Sequence, residues 1–96
     1  MANVVIYYQT KETEKTEEAI EFINNLIQQL ETNYVIKGVF IDNLNERNEF
    51  YELLNSPLNE IDIIFLEKPL EDEFDKKLLF EVAKMENIHI KYFGQI

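Results

Sequence analysis

The strongest constraint on the fold is an alternation of two hydrophobic periodicities along the chain. β-Branched and aromatic runs without helical spacing occur at residues 3–8, 34–41, 61–66 and 88–93, where strands are expected. Between these runs, apolar residues recur every three or four positions, which is typical of amphipathic helices. The sequence therefore predicts the element order β-α-β-α-β-α-β.

The first predicted helix has the clearest pattern of the three. Its apolar residues fall on a single stripe: Ala19, Phe22, Ile23, Leu26, Ile27 and Leu30. We expect Thr13 or Thr16 to cap this helix, because a threonine hydroxyl can accept a hydrogen bond from an unpaired helical N–H group. Glu14, Glu17 and Glu18 suit the positive end of the helix dipole.

The other two helices are predicted from apolar spacing and from helix-breaking residues. The second helix covers 46–55, turns Phe50, Leu53 and Leu54 inward, and is stopped by Pro57. The third helix is expected to begin with Asp72 as its cap. Its predicted buried stripe is Phe74, Leu78, Leu79, Val82 and Met85.

Alternating strands and helices favour one fold class, the α/β class. The β-α-β connections lead to a parallel sheet with helices on its faces and right-handed crossovers. We therefore predict a three-layer α/β fold with a four-stranded, mainly parallel sheet. At 96 residues the chain has room for one core, so residues 1–96 are expected to form a single domain.

The chain is acidic and contains no cysteine. Its 19 acidic and nine basic residues give a formal charge of −10, so direct binding of nucleic acid by this domain alone is not expected. Without cysteine there is no disulfide framework and no thiol nucleophile, which fits a reducing cytoplasm.

No apolar run is long enough to cross a bilayer, and no signal peptide is visible. We expect a cytoplasmic protein without membrane association.

Common phosphate-binding and metal-binding patterns are missing from the sequence. Gly38 and Gly94 are the two glycines, and neither lies in the first strand-to-helix loop, so no dinucleotide fingerprint or P-loop is present. His89, the one histidine, falls on the alternating last strand, which favours a surface role. We therefore expect no cofactor and no bound metal.

An acidic cluster precedes and opens the third predicted helix. Its members are Glu67, Glu71, Asp72, Glu73 and Asp75. Carboxylates can hold a hard cation, but a solvated helix N-terminus that matches the helix dipole explains this cluster more simply.

The loop after the first strand is the natural place to look for a site. Strand-to-helix loops near the start of α/β chains often hold a nucleophile or a phosphate, because backbone N–H groups and a helix dipole point there. Thr10 and Thr13 carry hydroxyls and Lys11 carries an amine, but the sequence shows no activating base. We expect both threonines to cap or to form loop hydrogen bonds, and Lys11 to be solvated.

Four segments, in order and with suitable spacing, carry a resemblance to a known family. They are residues 6–11 (IYYQTK), 38–42 (GVFID), 47–54 (RNEFYELL) and 62–68 (DIIFLEK). These segments resemble the catalytic domain of serine recombinases, the resolvase and invertase family, over nearly the whole chain. The resemblance implies a resolvase-like fold. It also implies that the loop after the first strand corresponds to the loop whose serine attacks a DNA phosphodiester in that family.

The resemblance also identifies what this chain has lost. Gln9 stands where the family has an arginine, Lys11 stands where it has the attacking serine, and Arg47 alone remains of the active-site arginines. Attack on a phosphodiester requires several cations around the phosphoryl group, and each lost donor typically costs about 10²–10³ in rate. Gln9, Thr10, Lys11 and Arg47 are therefore candidates for a vestigial site, with no confident catalytic residue.

Three functions follow as hypotheses. The first is a non-catalytic, resolvase-like protein-interaction or regulatory module, plausibly bacterial and associated with a mobile element or recombination system, which binds a protein partner or itself. The second is an acidic DNA mimic that inhibits a DNA-binding protein, motivated by the charge of −10. The third is a serine-recombinase-type enzyme, or a fragment of one, that acts through Thr10, Lys11 and Arg47.

Overall fold

The computed structural model describes residues 1–95. The strands are β1 (Ala2–Gln9), β2 (Tyr34–Asp42), β3 (Ile63–Leu66) and β4 (His89–Tyr92). The helices are α1 (Thr16–Leu30), α2 (Asn48–Leu54) and α3 (Glu73–Glu86), with short 3₁₀ turns at Leu58–Glu60 and Phe93–Gln95. The predicted element order is confirmed. Within residues 1–95, no helix is long and apolar enough to cross a membrane.

The four strands form one sheet in the order β2-β1-β3-β4, and every neighbouring pair is parallel. The predicted mainly parallel sheet is thus fully parallel. The chain leaves β1 toward one edge of the sheet and leaves β3 toward the other edge. The carboxyl ends of β1 and β3 therefore form a topological switch point, which is where open α/β sheets place their ligands.

Helices cover both faces of the sheet and give the predicted three layers. On one face, α1 packs on the side chains of Val4, Ile6 and Tyr8. On the other face, α2 and α3 pack on Val5 and Tyr7. The strict alternation along β1 sends successive side chains into two separate apolar clusters.

The first helix has the predicted stripe but a different cap. Ala19, Ile23, Leu26 and Leu30 are buried, while Phe22 is 41% exposed and lies with its ring 5.3 Å from that of Tyr8. The prediction of Thr13 or Thr16 as the cap is wrong, because Lys15 occupies the N-cap position and Thr16 is already helical. The Glu18 carboxylate accepts a hydrogen bond from the Lys15 N–H at 3.1 Å instead.

Two predicted boundaries shift for local reasons. The third strand begins at Ile63 rather than at residue 61, because a 3₁₀ turn precedes it and the Ile61 N–H donates to the Leu58 carbonyl. The second helix begins at Asn48 rather than at residue 46, since Glu46 closes a turn onto the Asn43 carbonyl.

The predicted buried stripe of α3 is partly wrong. Phe74 and Met85 are 69% and 81% exposed. The buried face instead centres on Asp75, Leu79 and Ala83. The Asp75 carboxylate is buried with its ion-pair partner Arg47 and takes the inward place in the first turn that the prediction gave to Phe74. The Asp72 cap is confirmed, since its carboxylate accepts a hydrogen bond from the Asp75 N–H at 2.9 Å. His89 and Lys91 on β4 are exposed, as predicted.

Candidate functional site

A cavity of about 300 Å³ opens at the switch point between the ends of β1 and β3. It is lined by Tyr7, Gln9, Thr10, Lys11, Glu12, Leu44, Leu66, Glu67, Lys68, Pro69, Leu70 and Glu71. Three of the four predicted site residues, Gln9, Thr10 and Lys11, therefore line one cavity.

The loop after β1 is a closed turn. The Glu14 N–H donates to the Lys11 carbonyl at 3.1 Å, and the Lys11 N–H donates back to the Glu14 carboxylate at 3.1 Å. The Tyr8 hydroxyl, which is buried, donates to the same carboxylate at 2.8 Å. Glu14 thus ties the loop to the end of the strand, a role that the sequence pattern did not reveal.

Thr10 is held at the floor of this loop. Its N–H donates to the Asp42 carbonyl at 2.9 Å, and the residue is only 6% exposed. The side-chain amide of Gln9 makes a long contact of 3.4 Å with the Glu46 carbonyl. Thr10 is therefore fixed by a backbone carbonyl at the end of β2, and Gln9 contacts one in the segment that follows β2.

Lys11 is exposed, as predicted, but its ammonium group is not free. Its Nζ atom lies 3.0 Å from a carboxylate oxygen of Glu67 and 3.1 Å from the Tyr8 hydroxyl. The hydrogen bond to Glu67, followed by that to Tyr8, raises the pKa of the Lys11 amine well above its ordinary value. An amine in this state is a protonated cation, whereas an attacking amine must be unprotonated.

The ionisation of Lys11 can be measured directly. In a ¹⁵N NMR titration of the lysine amines, we expect the Lys11 pKa to exceed the ordinary value of a lysine side chain, and Glu67→Gln to remove most of the difference. The folded-state pKa is raised, so the pair stabilises the fold below about pH 10.4 and loses this effect as the pH rises further. A Lys11 pKa at or below the ordinary lysine value would contradict this description.

Arg47 lies away from the cavity and joins two helices. It is the N-cap residue of α2, and its guanidinium contacts two of the three acidic residues at the start of α3. Its Nε atom donates to Asp75, and its Nη2 atom donates to Asp72 at 2.9 Å. The hydrogen bond to Asp75 is the main cause of a raised Arg47 pKa. Because the Asp75 side chain is only 8% exposed, this contact satisfies a buried carboxylate.

A double-mutant cycle tests this structural role of Arg47. We expect Arg47→Met and Asp75→Asn each to lower the free energy of unfolding, because either change alone leaves the remaining residue without its ion-pair partner. The double variant should lose clearly less stability than the sum of the two single losses. The exposed pair of Lys68 and Glu71 provides the control, and Lys68→Met should leave stability unchanged. Additive losses at Arg47 and Asp75 would contradict the pairing.

Asp42 is the most connected buried carboxylate in the structure. It is 2% exposed and accepts hydrogen bonds from the Tyr7 hydroxyl at 2.7 Å, the Glu49 N–H at 2.8 Å and the Phe50 N–H at 3.0 Å. It thereby supplies the acceptor that α2 lacks at its own N-cap. Burial, together with this hydrogen bond, raises the pKa of the Tyr7 phenol far above its ordinary value.

The acidic cluster is used by ion pairs and a helix cap. Glu67 binds Lys11, Asp72 and Asp75 bind Arg47, and Glu71 binds Lys68 at 3.3 Å. Among residues 1–95, no group of three or more acidic or histidine side chains is arranged to hold a metal ion.

The geometry can be compared with solved structures. The C-terminal catalytic domain of ISC1926 TnpA, an IS607-like serine recombinase, matches 94% of this chain and 68% of its own, with a TM-score of 0.68 at 15% identity. The first open reading frame in transposon ISC1904 from Sulfolobus solfataricus P2 matches 96% of this chain and 66% of its own, with a TM-score of 0.64 at 22% identity. The fold is that of a serine recombinase catalytic domain. This chain spans about two thirds of each of these structures.

The likeness establishes the serine recombinase fold and leaves the chemistry to the residues of this chain. No family model matches the sequence, and no curated protein does so either. Three cations that follow β1, cap α2 and follow β3 are Lys11, Arg47 and Lys68. Each of the three is ion-paired to a carboxylate.

Proposed function

We propose that this chain is a non-catalytic domain with a serine recombinase fold that acts through protein contacts, as an interaction or regulatory module of a mobile element. The observation that carries this proposal is the pairing of Lys11 and Lys68 at the cavity, and of Arg47 away from it, with carboxylates. A phosphodiester under attack gains negative charge, which preorganised cations must stabilise. Here Glu67 pairs with Lys11 and Glu71 pairs with Lys68, while Asp72 and Asp75 pair with Arg47.

The position that corresponds to the family's nucleophile supports the same proposal. Lys11 stands where the resemblance puts a serine, and its raised pKa keeps the amine protonated. Thr10, the neighbouring hydroxyl, has no histidine within reach as a base, because His89 begins β4 at the amino edge of the sheet and Thr10 follows the carboxyl end of β1. The domain therefore keeps the scaffold, carries a protonated amine at the nucleophile position, and has Lys11, Arg47 and Lys68 paired with carboxylates. The link to a mobile element rests on the likeness to two transposon-associated structures.

Apolar side chains on α3 favour protein contacts as the mode of action. Phe74, Phe80 and Met85 are exposed by 69%, 43% and 81%. Phenylalanine and methionine are enriched at protein interfaces relative to the rest of protein surfaces.

Two measurements test the proposal: the molar mass of the pure protein in solution, and affinity capture of partner proteins. Light scattering of the pure protein, and affinity capture from its host, should reveal a homodimer or a stoichiometric protein partner that survives high salt. Serine substitution of both Phe74 and Met85 should weaken the association, while Ile20→Ser on α1, where Ile20 is 48% exposed, serves as the matched control. A monomer at every concentration, with no captured protein, would overturn the proposal.

The formal charge of −10 favours a second candidate, an acidic mimic of DNA. A mimic would bind a basic DNA-binding protein mainly through exposed charges, and such attraction is screened beyond about 8 Å at physiological ionic strength. Release of a captured basic protein by moderate salt, with no effect of the α3 substitutions, would support mimicry over the apolar contact.

A further inference from the structure

The cavity at the ends of β1 and β3 has an apolar floor and a charged rim. Leu66 and Tyr7 are buried at its base, with Pro69 and Leu70 beside them. The volume of about 300 Å³ lies at the lower end of small-molecule sites, which suits a ligand the size of a single amino acid.

The charges around the rim exclude one large class of ligands. Two lysines and three glutamates line the cavity, so carboxylates outnumber ammonium groups. A phosphate or a nucleotide would approach a rim whose two lysines are already paired, at Lys11 with Glu67 and at Lys68 with Glu71. The cavity therefore favours a ligand with no net negative charge.

At one side of this cavity, both hydrogen-bond donors and hydrogen-bond acceptors remain available to a ligand. Thr10 is 6% exposed and lines the cavity, and within residues 1–95 its hydroxyl has no hydrogen-bond partner. The Lys11 ammonium uses two of its three N–H groups, on Glu67 and on Tyr8. One oxygen of Glu67 receives Lys11, and the other accepts no hydrogen bond within the described part of the chain.

We propose that this cavity binds a small zwitterion with an apolar side group, of the class of the apolar α-amino acids. The ligand ammonium binds the unused oxygen of Glu67, and its carboxylate binds Lys11 and the hydroxyl of Thr10. The side group lies on Leu66, Pro69 and Leu70. The positive and negative groups of Lys11 and Glu67 are 3.0 Å apart, and the two ends of an α-amino acid are similarly adjacent. This inference goes beyond the proposed function and does not depend on it.

The direct test is a titration of the ¹⁵N-labelled full chain, followed by NMR, with L-leucine, L-methionine and L-phenylalanine at millimolar concentrations. We expect at least one of them to shift the amide signals of residues 9–12 and 66–71 in a saturable manner. N-Acetyl-L-leucine lacks the ammonium group and L-leucinamide lacks the carboxylate, so each should bind about tenfold or more weakly than L-leucine if L-leucine binds. Inorganic phosphate should produce no saturable shift at the cavity.

Two substitutions and a control locate the binding site on the protein. Thr10→Val keeps the shape of the side chain and removes its hydroxyl, and Glu67→Gln removes the charge that receives the ligand ammonium. Both substitutions should weaken ligand binding. The control Lys84→Met, at an exposed position on α3, should leave binding unchanged. An unchanged amide spectrum elsewhere shows that each variant folds, so a loss of binding reports on the site.

Three results would overturn the inference. They are no saturable shift with any of the three amino acids, binding of the acetylated and amidated analogues as tight as that of L-leucine, and unchanged binding in both Thr10→Val and Glu67→Gln. None of these results bears on whether the protein forms a dimer or captures a partner, so the inference and the proposed function fail separately.

Discussion

Replacing Asp42 by alanine will lower the free energy of unfolding by about 3 kcal/mol or more, because each buried donor left without its acceptor costs about 1–3 kcal/mol. Three donors lose their acceptor at once: the Tyr7 hydroxyl and the N–H groups of Glu49 and Phe50. The site is too buried for water to replace the carboxylate freely, since Asp42 is 2% exposed. A domain of this size has a total stability of about 5–14 kcal/mol, so the loss is a large share of it.

Two milder variants separate the contributions to the Asp42 network. Tyr7→Phe removes a single hydrogen bond and should cost about 1 kcal/mol. Asp62→Ala removes an exposed carboxylate that accepts from the Asn3 N–H at 2.7 Å, and should cost less than Asp42→Ala. Urea denaturation measures all three. If Asp42→Ala were no more destabilising than Asp62→Ala, the network would not hold α2 as described.

Replacing Phe50 by alanine should also cost about 3–5 kcal/mol, the usual loss for a buried phenylalanine. Phe50 is 1% exposed, and its ring meets that of Tyr7 edge-on with centroids 5.5 Å apart. Since α2 has only seven residues, Phe50 and Leu53 supply its buried contacts with the sheet. Truncation should therefore loosen α2 first, visible as faster amide hydrogen exchange over residues 48–54 than in α1.

Tyr51 provides a matched control beside Phe50. It is aromatic and lies on the same helix, but it is 42% exposed. Tyr51→Ala should change the free energy of unfolding by about 0.5 kcal/mol, as for other surface substitutions. Similar losses at the two positions would contradict the assigned burial of Phe50.

The element order, the parallel sheet and the three layers could be predicted because they depend on periodicity alone. The burial of α3 could not, because Asp75 is buried through a partner distant in sequence, Arg47, and hydrophobic spacing does not report such a contact. The cap of α1 was wrong for a similar reason, since Glu18 binds the Lys15 N–H and makes a threonine hydroxyl unnecessary.

The site was only partly predictable from the sequence. Gln9, Thr10 and Lys11 line the cavity because residues that follow a β-strand in an α/β chain come to the carboxyl edge of the sheet. Asp42 ends a neighbouring parallel strand at this edge, and that position was a usable signal. The pairing of Lys11 with Glu67 was not visible in the sequence, because it requires the lateral order of β1 and β3.

The central claim, a serine recombinase fold without recombinase chemistry, is tested most directly by a search for covalent protein–DNA linkage. The purified protein is incubated with supercoiled plasmid that carries the DNA flanking its own coding sequence, and the reaction is stopped with detergent. We predict neither nicked circles nor protein attached to DNA ends. Attached protein in the wild type that disappears in Thr10→Val or Lys11→Met would contradict the account and show that the loop after β1 is a working nucleophile.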